Sequence, residues 1–225
     1  MKIVKAGYEI LTPVSENGKK ELMHIENIAR TCYKSVNTIN DFNKTQEFIR
    51  NLITNGHEAM LEHSMLAVKF IVDRGVSHEL VRHRVASFAQ ESTRYCNYSK
   101  DKFNNELTFI DIKGSFKYMD GFTKEQQVVI INNWNTIMIE AENAYMDLTR
   151  HGVPAQVARS ILPNSLKTEI NITANYREWR NIFRLRIAPS AHPQMREVMI
   201  PLFNELQNTI PVIFDDLRSC LYCLR

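Results

Sequence analysis

Residues 167 to 187 read Lys-Thr-Glu-Ile-Asn-Ile-Thr-Ala-Asn-Tyr-Arg-Glu-Trp-Arg-Asn-Ile-Phe-Arg-Leu-Arg-Ile. In the first half the apolar residues alternate through Ile170 and Ile172, which predicts a strand from Lys167 to Asn175. Past Asn175 the period lengthens. Arg177, Arg180 and Arg184 recur at helical spacing beside Trp179 and Phe183, so a helix is predicted from Arg177 to Ile187.

Outward from this strand and helix the chain is mostly helical. Helices are predicted from Glu16 to Tyr33, from Phe42 to Asn55 with Gly56 as the stop, from Pro154 to Leu162, and from Pro193 to Thr209. The longest opens at Thr123, with Gln126 three residues on in a capping-box pattern. Along it Ile131, Trp134, Met138, Ala141, Tyr145 and Leu148 form an apolar seam that ends before Gly152 and is expected to pack on another helix, in the same subunit or another. Further strands are predicted near Ile3 to Ile10, Met65 to Val72 and Leu107 to Ile110. Strands scattered among dominant helices give an α+β expectation: one helix-rich domain over residues 1 to 225 with a mixed or antiparallel sheet. With only 7 glycines, long elements are favoured over many tight turns, and Lys100 to Gly121 is expected to be a surface loop.

Composition narrows the function classes. A chain of 225 residues with 44% hydrophobic and 24% charged residues is expected to be soluble and globular. Lys69 and Asp73 break the longest apolar run, Ser64 to Val76, so no membrane span is expected. Lys2, Lys5 and Glu9 break any signal-peptide core, which points to the cytoplasm. A net charge of +3 is too mild to argue for nucleic acid as a partner, although it suits ligands that carry phosphate. The four cysteines, at 32, 96, 220 and 223, include a Cys220-Leu-Tyr-Cys223 spacing with no second ligand pair, and read as reduced structural thiols.

The densest set of anion-competent donors is Arg82-His-Arg-Val-Ala-Ser-Phe-Ala-Gln-Glu-Ser-Thr-Arg94. Composition alone equally suits a solvated basic helix end. Val76 to Val81 is predicted helical, and successive helical residues point about 100° apart, so Arg82 and Arg84 cannot share one face. A helix ending near Arg84, followed by an irregular Ser/Gln-rich stretch, would let neighbouring residues serve two ligands or ligands in two subunits. A nucleic-acid module would need interleaved aromatics, and only Phe88 and Tyr95 qualify.

Other constellations are weaker. His57-Glu58 lacks the histidine at 61 that a zinc motif needs, and Glu62-His63 lacks one at 59, so no metal site is expected. Neither a Gly-x-Gly-x-x-Gly nor a Walker loop occurs, so any dinucleotide must be held by side chains. Arg180 and Arg184 read as a basic helix face, whereas Arg159 and Arg186 are plausible anion ligands.

Taken in order, these residues resemble the flavin-dependent thymidylate synthases. The resemblance rests on Arg82-His83-Arg84 followed by seven residues and Ser92, on Gly56-His57-Glu58 with Glu62-His63, and on Gly152-Val-Pro-Ala-Gln-Val-Ala-Arg159. It continues through Leu162-Pro163, Thr173-Ala-Asn175 with Arg177, Leu185-Arg186 and His192-Pro-Gln194, covering roughly residues 50 to 200. It implies transfer of the methylene of 5,10-methylenetetrahydrofolate to C5 of dUMP, reduction by FADH2 to give dTMP and tetrahydrofolate, and NADPH as reductant of the flavin. It also implies a homotetramer with FAD held between chains.

By the same resemblance FAD falls to His57, Ala59, Arg82, His83, Arg84, Gln90, Asn175, Arg177 and Asn181. The nucleotide falls to Glu79, Arg82, Gln90, Glu91, Ser92, Thr93, Arg94, Arg159 and Arg186. No cysteine sits in the Pro-Cys setting of thiolate-dependent thymidylate synthases, so Arg186 at the uracil edge is the catalytic candidate. Ser92 has no base assigned to it and is given a phosphate-binding role. Two positions depart from the family pattern. Ala59 replaces a common Ser or Thr, and Glu79 replaces a common Gln, so Glu79 is expected to face sugar or base, or to pair with an arginine.

Overall fold

The computed structural model describes residues 1–32, 34–35 and 41–222. Its strands are β1 (Lys2–Val4), β2 (Gly7–Ile10), β3 (Met65–Asp73), β4 (Ala86–Gln90), β5 (Thr108–Ile110) and β6 (Lys167–Asn175). The helices are α1 (Lys19–Thr31), α2 (Phe42–Thr54), α3 (Arg74–Leu80), α4 (Lys124–Arg150), α5 (Ala155–Ala158), α6 (Tyr176–Arg186), α7 (Pro193–Thr209) and α8 (Pro211–Phe214), with short 3-10 turns between several of them. This is an α+β chain. Strands β2, β3, β6 and β4 lie in that order in one sheet, and β1 pairs with β5 in a second. The second ladder is parallel, with Ile3 opposite Phe109.

Contacts gather the chain into two compact units. The first comprises Met1–Gly7, Phe70–Arg82 and Phe88–Asn171. Its long helix α4 starts where the capping box requires: Gln126 N–H donates to Thr123 Oγ1 at 3.2 Å, and Gln126 Oε1 accepts from Thr123 N–H at 2.9 Å. It stops in a Schellman arrangement. Gly152 takes φ +85° and donates to Thr149 O, while Val153 donates to Leu148 O at 3.0 Å. Of the seam along α4, Met138 and Tyr145 are buried, with Leu107 and Phe109 of the β5 region and Ala158 of α5 in the same core, while Ile131, Trp134, Ala141 and Leu148 stay partly exposed. The Lys100 to Gly121 stretch is therefore not simply a surface loop, since Leu107, Phe109 and Ile110 are core residues.

The second unit comprises Tyr8–Lys69, His83–Ser87 and Ile172–Arg225. Helix α6 buries Tyr176, Trp179, Ile182 and Phe183. Phe183 lies edge-on to Phe203 of α7 and Phe214 of α8, with ring centroids 5.3 and 5.4 Å apart. Trp179 Nε1–H satisfies Leu66 O at 3.0 Å, so the indole is buried without an orphaned donor.

Four boundaries differ from the sequence reading for physical reasons. The Ile3 to Ile10 strand is two strands in two sheets, and Met1 is tied down by its amino group, 2.9 Å from Glu142. The predicted irregular stretch after Arg84 contains β4. There Ala86, Phe88 and Gln90 alternate with exposed Ser87 and Ala89, a period hidden by the small and polar residues at both faces. The helix expected to run toward Arg84 ends at Leu80. The Pro154 to Leu162 helix is one turn of α-helix followed by a 3-10 turn, Arg159–Ile161. Tyr33, the expected last residue of the first helix, lies outside the described residues.

Among the described residues Cys32, Cys96 and Cys220 are free thiols; Cys223 lies outside them. No helix among them is long and apolar enough to cross a membrane.

Candidate active site

Within the second unit, β6 runs directly into α6, and the joint is Asn175. Its Oδ1 accepts from Glu178 N–H at 2.8 Å and caps the helix. This fixes the first turns of α6 as the wall of a pocket of about 540 Å³, to which Asn175, Arg177, Glu178, Asn181 and Arg184 contribute. Glu58 and Glu62 line it too, from the 3-10 turn Glu58–His63 that follows Gly56. Gly56 has φ +75°, a left-handed conformation that suits glycine. Each of these two carboxylates is held by an arginine. Arg177 contacts Glu62 in a half-exposed pair, and Arg184 Nη2 donates to Glu58 Oε1 at 3.0 Å.

Arg180 is the largest correction to the sequence reading of this helix. It is not part of a surface basic face but is 0% exposed. Its Nη1 and Nη2 donate to the two Asp216 oxygens at 2.7 and 2.6 Å, to Ile213 O, and to Glu58 Oε1 at 3.2 Å. Burial pushes the Glu58 carboxyl up, but Arg180 and then Arg184 outweigh it and hold it below the usual carboxylate range. No sequence signal pairs Arg180 with Asp216, which lies 36 residues on.

His83 is the buried member of the Arg82-His83-Arg84 triplet; the two arginines are exposed. Arg186 Nε donates to His83 Nε2 at 3.0 Å, and His83 Nδ1 lies 3.3 Å from Glu178 Oε1. An arginine Nε can only donate, so Nε2 carries no proton and Nδ1 does. Burial and the Arg186 charge lower the His83 pKa against the raising effect of Glu178. The Glu178 contact is thus a hydrogen bond from a neutral imidazole rather than an ion pair. Asn181 Nδ2 completes the group, 3.3 and 3.4 Å from the Glu178 oxygens.

Two of the expected flavin residues fall elsewhere in this unit. His57 and Ala59 are exposed and face a separate, mainly apolar hollow of about 410 Å³ with Leu52 and Met60. A methyl group stands at Ala59, so no side-chain hydroxyl is available there.

The expected nucleotide residues of the first unit form their own group. Arg159 Nη1 donates to Thr93 Oγ1 at 3.3 Å. Ser92 O accepts from the N–H groups of Tyr95 and Cys96, which makes a tight turn presenting exposed Arg94 beside the Tyr95 ring, 5.3 Å to its centroid. The turn is anchored from behind. Gln90 Nε2 donates to Ser77 Oγ at 2.8 Å and Thr168 Oγ1 at 3.2 Å. The Glu91 carboxylate accepts from Tyr98 at 2.8 Å and from Lys167 at 3.1 Å, and Arg74 Nη1 donates to Glu91 O at 3.2 Å. The Gln90 and Glu91 side chains are therefore engaged within the protein. Burial first, and then Glu91, push the Tyr98 phenol well above its ordinary range, which keeps it a proton donor. Glu79 is half-buried in the last turn of α3, and Arg82 is exposed just beyond it.

Residues 15–212 match the family model described as "Thymidylate synthase complementing protein". The chain belongs to the flavin-dependent thymidylate synthase family. It is therefore an enzyme of a methyl-transferring, flavin-using class. A flavin-dependent thymidylate synthase of Geobacter sulfurreducens is 32% identical over 195 residues, spanning 84% of this chain and 78% of that protein. One of Pyrococcus furiosus is 33% identical over 180 residues, spanning 80% and 67%. The crystal structure of a UMP/dUMP methylase, PolB from Streptomyces cacaoi, bound with 5-Br dUMP, has a TM-score of 0.74 at 22% identity, covering 97% of each chain, and so shares the fold.

Proposed function

We propose that this flavin-dependent thymidylate synthase converts dUMP to dTMP, with 5,10-methylenetetrahydrofolate as carbon donor, FAD as the flavin and NADPH as its reductant. The observation that carries this reading is the convergence of His83, Asn175, Arg177, Asn181 and Arg186 in one unit around one pocket and one hydrogen-bonded chain. These residues are spread over a hundred positions of sequence.

The donor set fits FAD. Amide and guanidinium groups of Asn175, Asn181, Arg177 and Arg184 suit a cofactor with a diphosphate and a polar ring edge, and the opposing carboxylates of Glu58 and Glu62 are each neutralised by an arginine. By the resemblance the exposed Arg82 and Arg84 also belong to the FAD site, with Arg82 reaching the nucleotide too. The resemblance alone gives His57, the Ala59 backbone and Gln90 to the cofactor as well. When bound, the flavin supplies the hydride that reduces the transferred methylene to a methyl group.

The chain's own residues supply binding and charge. Ser92, Thr93, Arg94 and Arg159 form the anion-facing group for the dUMP phosphate, held by Gln90 and Glu91; Glu79 faces the sugar or base, or pairs with an arginine. C5 must give an electron pair to the methylene carbon, whose bonds to the folate nitrogens break to release tetrahydrofolate, and then lose its proton; the ring is made electron-rich enough for this by a polarised form that carries negative charge at the uracil O2/N3 edge. The planar guanidinium of Arg186 stabilises it. No thiolate is required. The working form is a homotetramer of single catalytic domains in the cytoplasm, with flavin sites shared between chains and folate bound there; no nucleic acid or membrane partner is involved.

Absorbance spectra of the purified protein with and without dUMP test the reading. A bound flavin whose spectrum shifts on adding dUMP is expected, and a colourless protein that takes up no FAD would contradict it.

A further inference from the structure

Glu178 and Arg186 lie two turns apart on α6, about 12 Å along the helix axis, too far to meet directly. His83 enters between them from another part of the chain and bonds to both, at 3.3 Å through Nδ1 and 3.0 Å through Nε2. Both His83 and Glu178 are buried, 5% and 8% exposed, so water cannot readily substitute for either partner. If Nδ1 lost its acceptor, the balance would shift toward ring rotation or the Nε2–H tautomer. That tautomer would set N–H against N–H at Arg186 and push the guanidinium away.

We propose that Glu178 is a positioning residue: by accepting the Nδ1 proton of His83 it fixes the tautomer whose Nε2 receives Arg186 Nε, and so aims the Arg186 guanidinium. The proposal rests on the reading of Arg186 given above. Asn181, donating to the same carboxylate, holds Glu178 in turn.

The test is single-turnover reoxidation of dithionite-reduced flavin in the full-length holoenzyme, with dUMP and methylenetetrahydrofolate saturating. Glu178→Leu, compared at saturating flavin, dUMP and methylenetetrahydrofolate, is expected to slow reoxidation about tenfold or more per bound flavin, because misaiming the Arg186 guanidinium costs rate. Glu178→Gln, whose Oε1 can still accept from Nδ1, recovers most of that loss. A leucine variant as fast as wild type, or a glutamine variant as slow as the leucine one, overturns the proposal. A second measurement needs no variant. The ring-nitrogen NMR shifts of His83 in histidine-labelled wild type are expected to show Nδ1–H with an unprotonated Nε2 at neutral pH, and the opposite tautomer or an imidazolium overturns the role of Glu178. Absence of any dUMP-dependent reoxidation in the wild type would instead withdraw the reading of the reaction, and the positioning role with it.

Discussion

The two groups of candidate site residues are built differently. In the second unit His83, Glu178 and Arg180 are buried and each is held by named partners, so Arg186 and the wall of α6 are in place before any ligand arrives. In the first unit Arg94 and Arg159 are exposed, and Arg159 is tethered by a 3.3 Å bond to Thr93. Preorganisation is most useful where charge develops during the reaction, whereas a phosphate can recruit exposed cations on arrival. Substitutions in the second unit should accordingly cost rate or stability, and those in the first should cost affinity.

The sharpest form of that contrast is Arg186→Ala. It is expected to lower single-turnover flavin reoxidation about a hundredfold, near 3 kcal/mol, with flavin binding largely kept. Arg186→Lys should recover little, because a point charge does not reproduce the planar fork. A variant that binds dUMP poorly but reoxidises at the wild-type rate once saturated would make Arg186 a binding residue only.

Arg180→Met should act on stability. It strands Asp216 beside an apolar side chain of similar volume and leaves Glu58 to Arg184, and about 2 to 3 kcal/mol is expected to be lost in urea unfolding. The half-exposed Asp216 keeps the figure toward the low end. An unchanged midpoint would mean that the buried cluster does not hold the C-terminal segment of this unit.

Arg159→Ala should do the reverse. Unfolding should shift by less than about 0.5 kcal/mol, while dUMP binding by titration calorimetry weakens about tenfold through loss of one charge-assisted bond. Equal losses in stability and affinity would erase the distinction between the two units.

The smallest effect expected is a pH dependence from His83. Burial and Arg186 lower its pKa from 6.5, so the unfolded chain binds this proton more readily. The stability it contributes is complete above pH 6.5 and declines as pH falls below that toward the lowered folded value. Thermal unfolding between pH 7.5 and 5.5 should therefore be flatter in His83→Gln than in wild type, and parallel profiles would contradict a neutral buried imidazole.

Sequence legibility follows the range over which each signal acts. The capping box at Thr123 and Gln126, the strand Lys167–Asn175 and the helix Pro193–Thr209 were written in local spacing and came out at or next to the expected positions. Strand β4 was missed because Ala86, Ser87 and Ala89 carry too little contrast for a period of two to stand out. The pairings Arg180 with Asp216 and His83 with Glu178 join residues 36 and 95 positions apart, and only folding brings them together. Arg180 therefore read as a surface charge, and Glu178 carried no signal at all. The motif residues were legible as a set through the family resemblance, but their division between two units was not.

The central claim is tested most directly by counting products in an anaerobic single turnover. Flavin reduced with dithionite, then mixed with dUMP and methylenetetrahydrofolate, is expected to yield one dTMP and one tetrahydrofolate per flavin reoxidised, both in wild type and in a variant with all four cysteines replaced by serine. Flavin oxidation without dTMP, or dTMP formation lost in the cysteine-free variant while flavin binding and folding persist, would contradict the account.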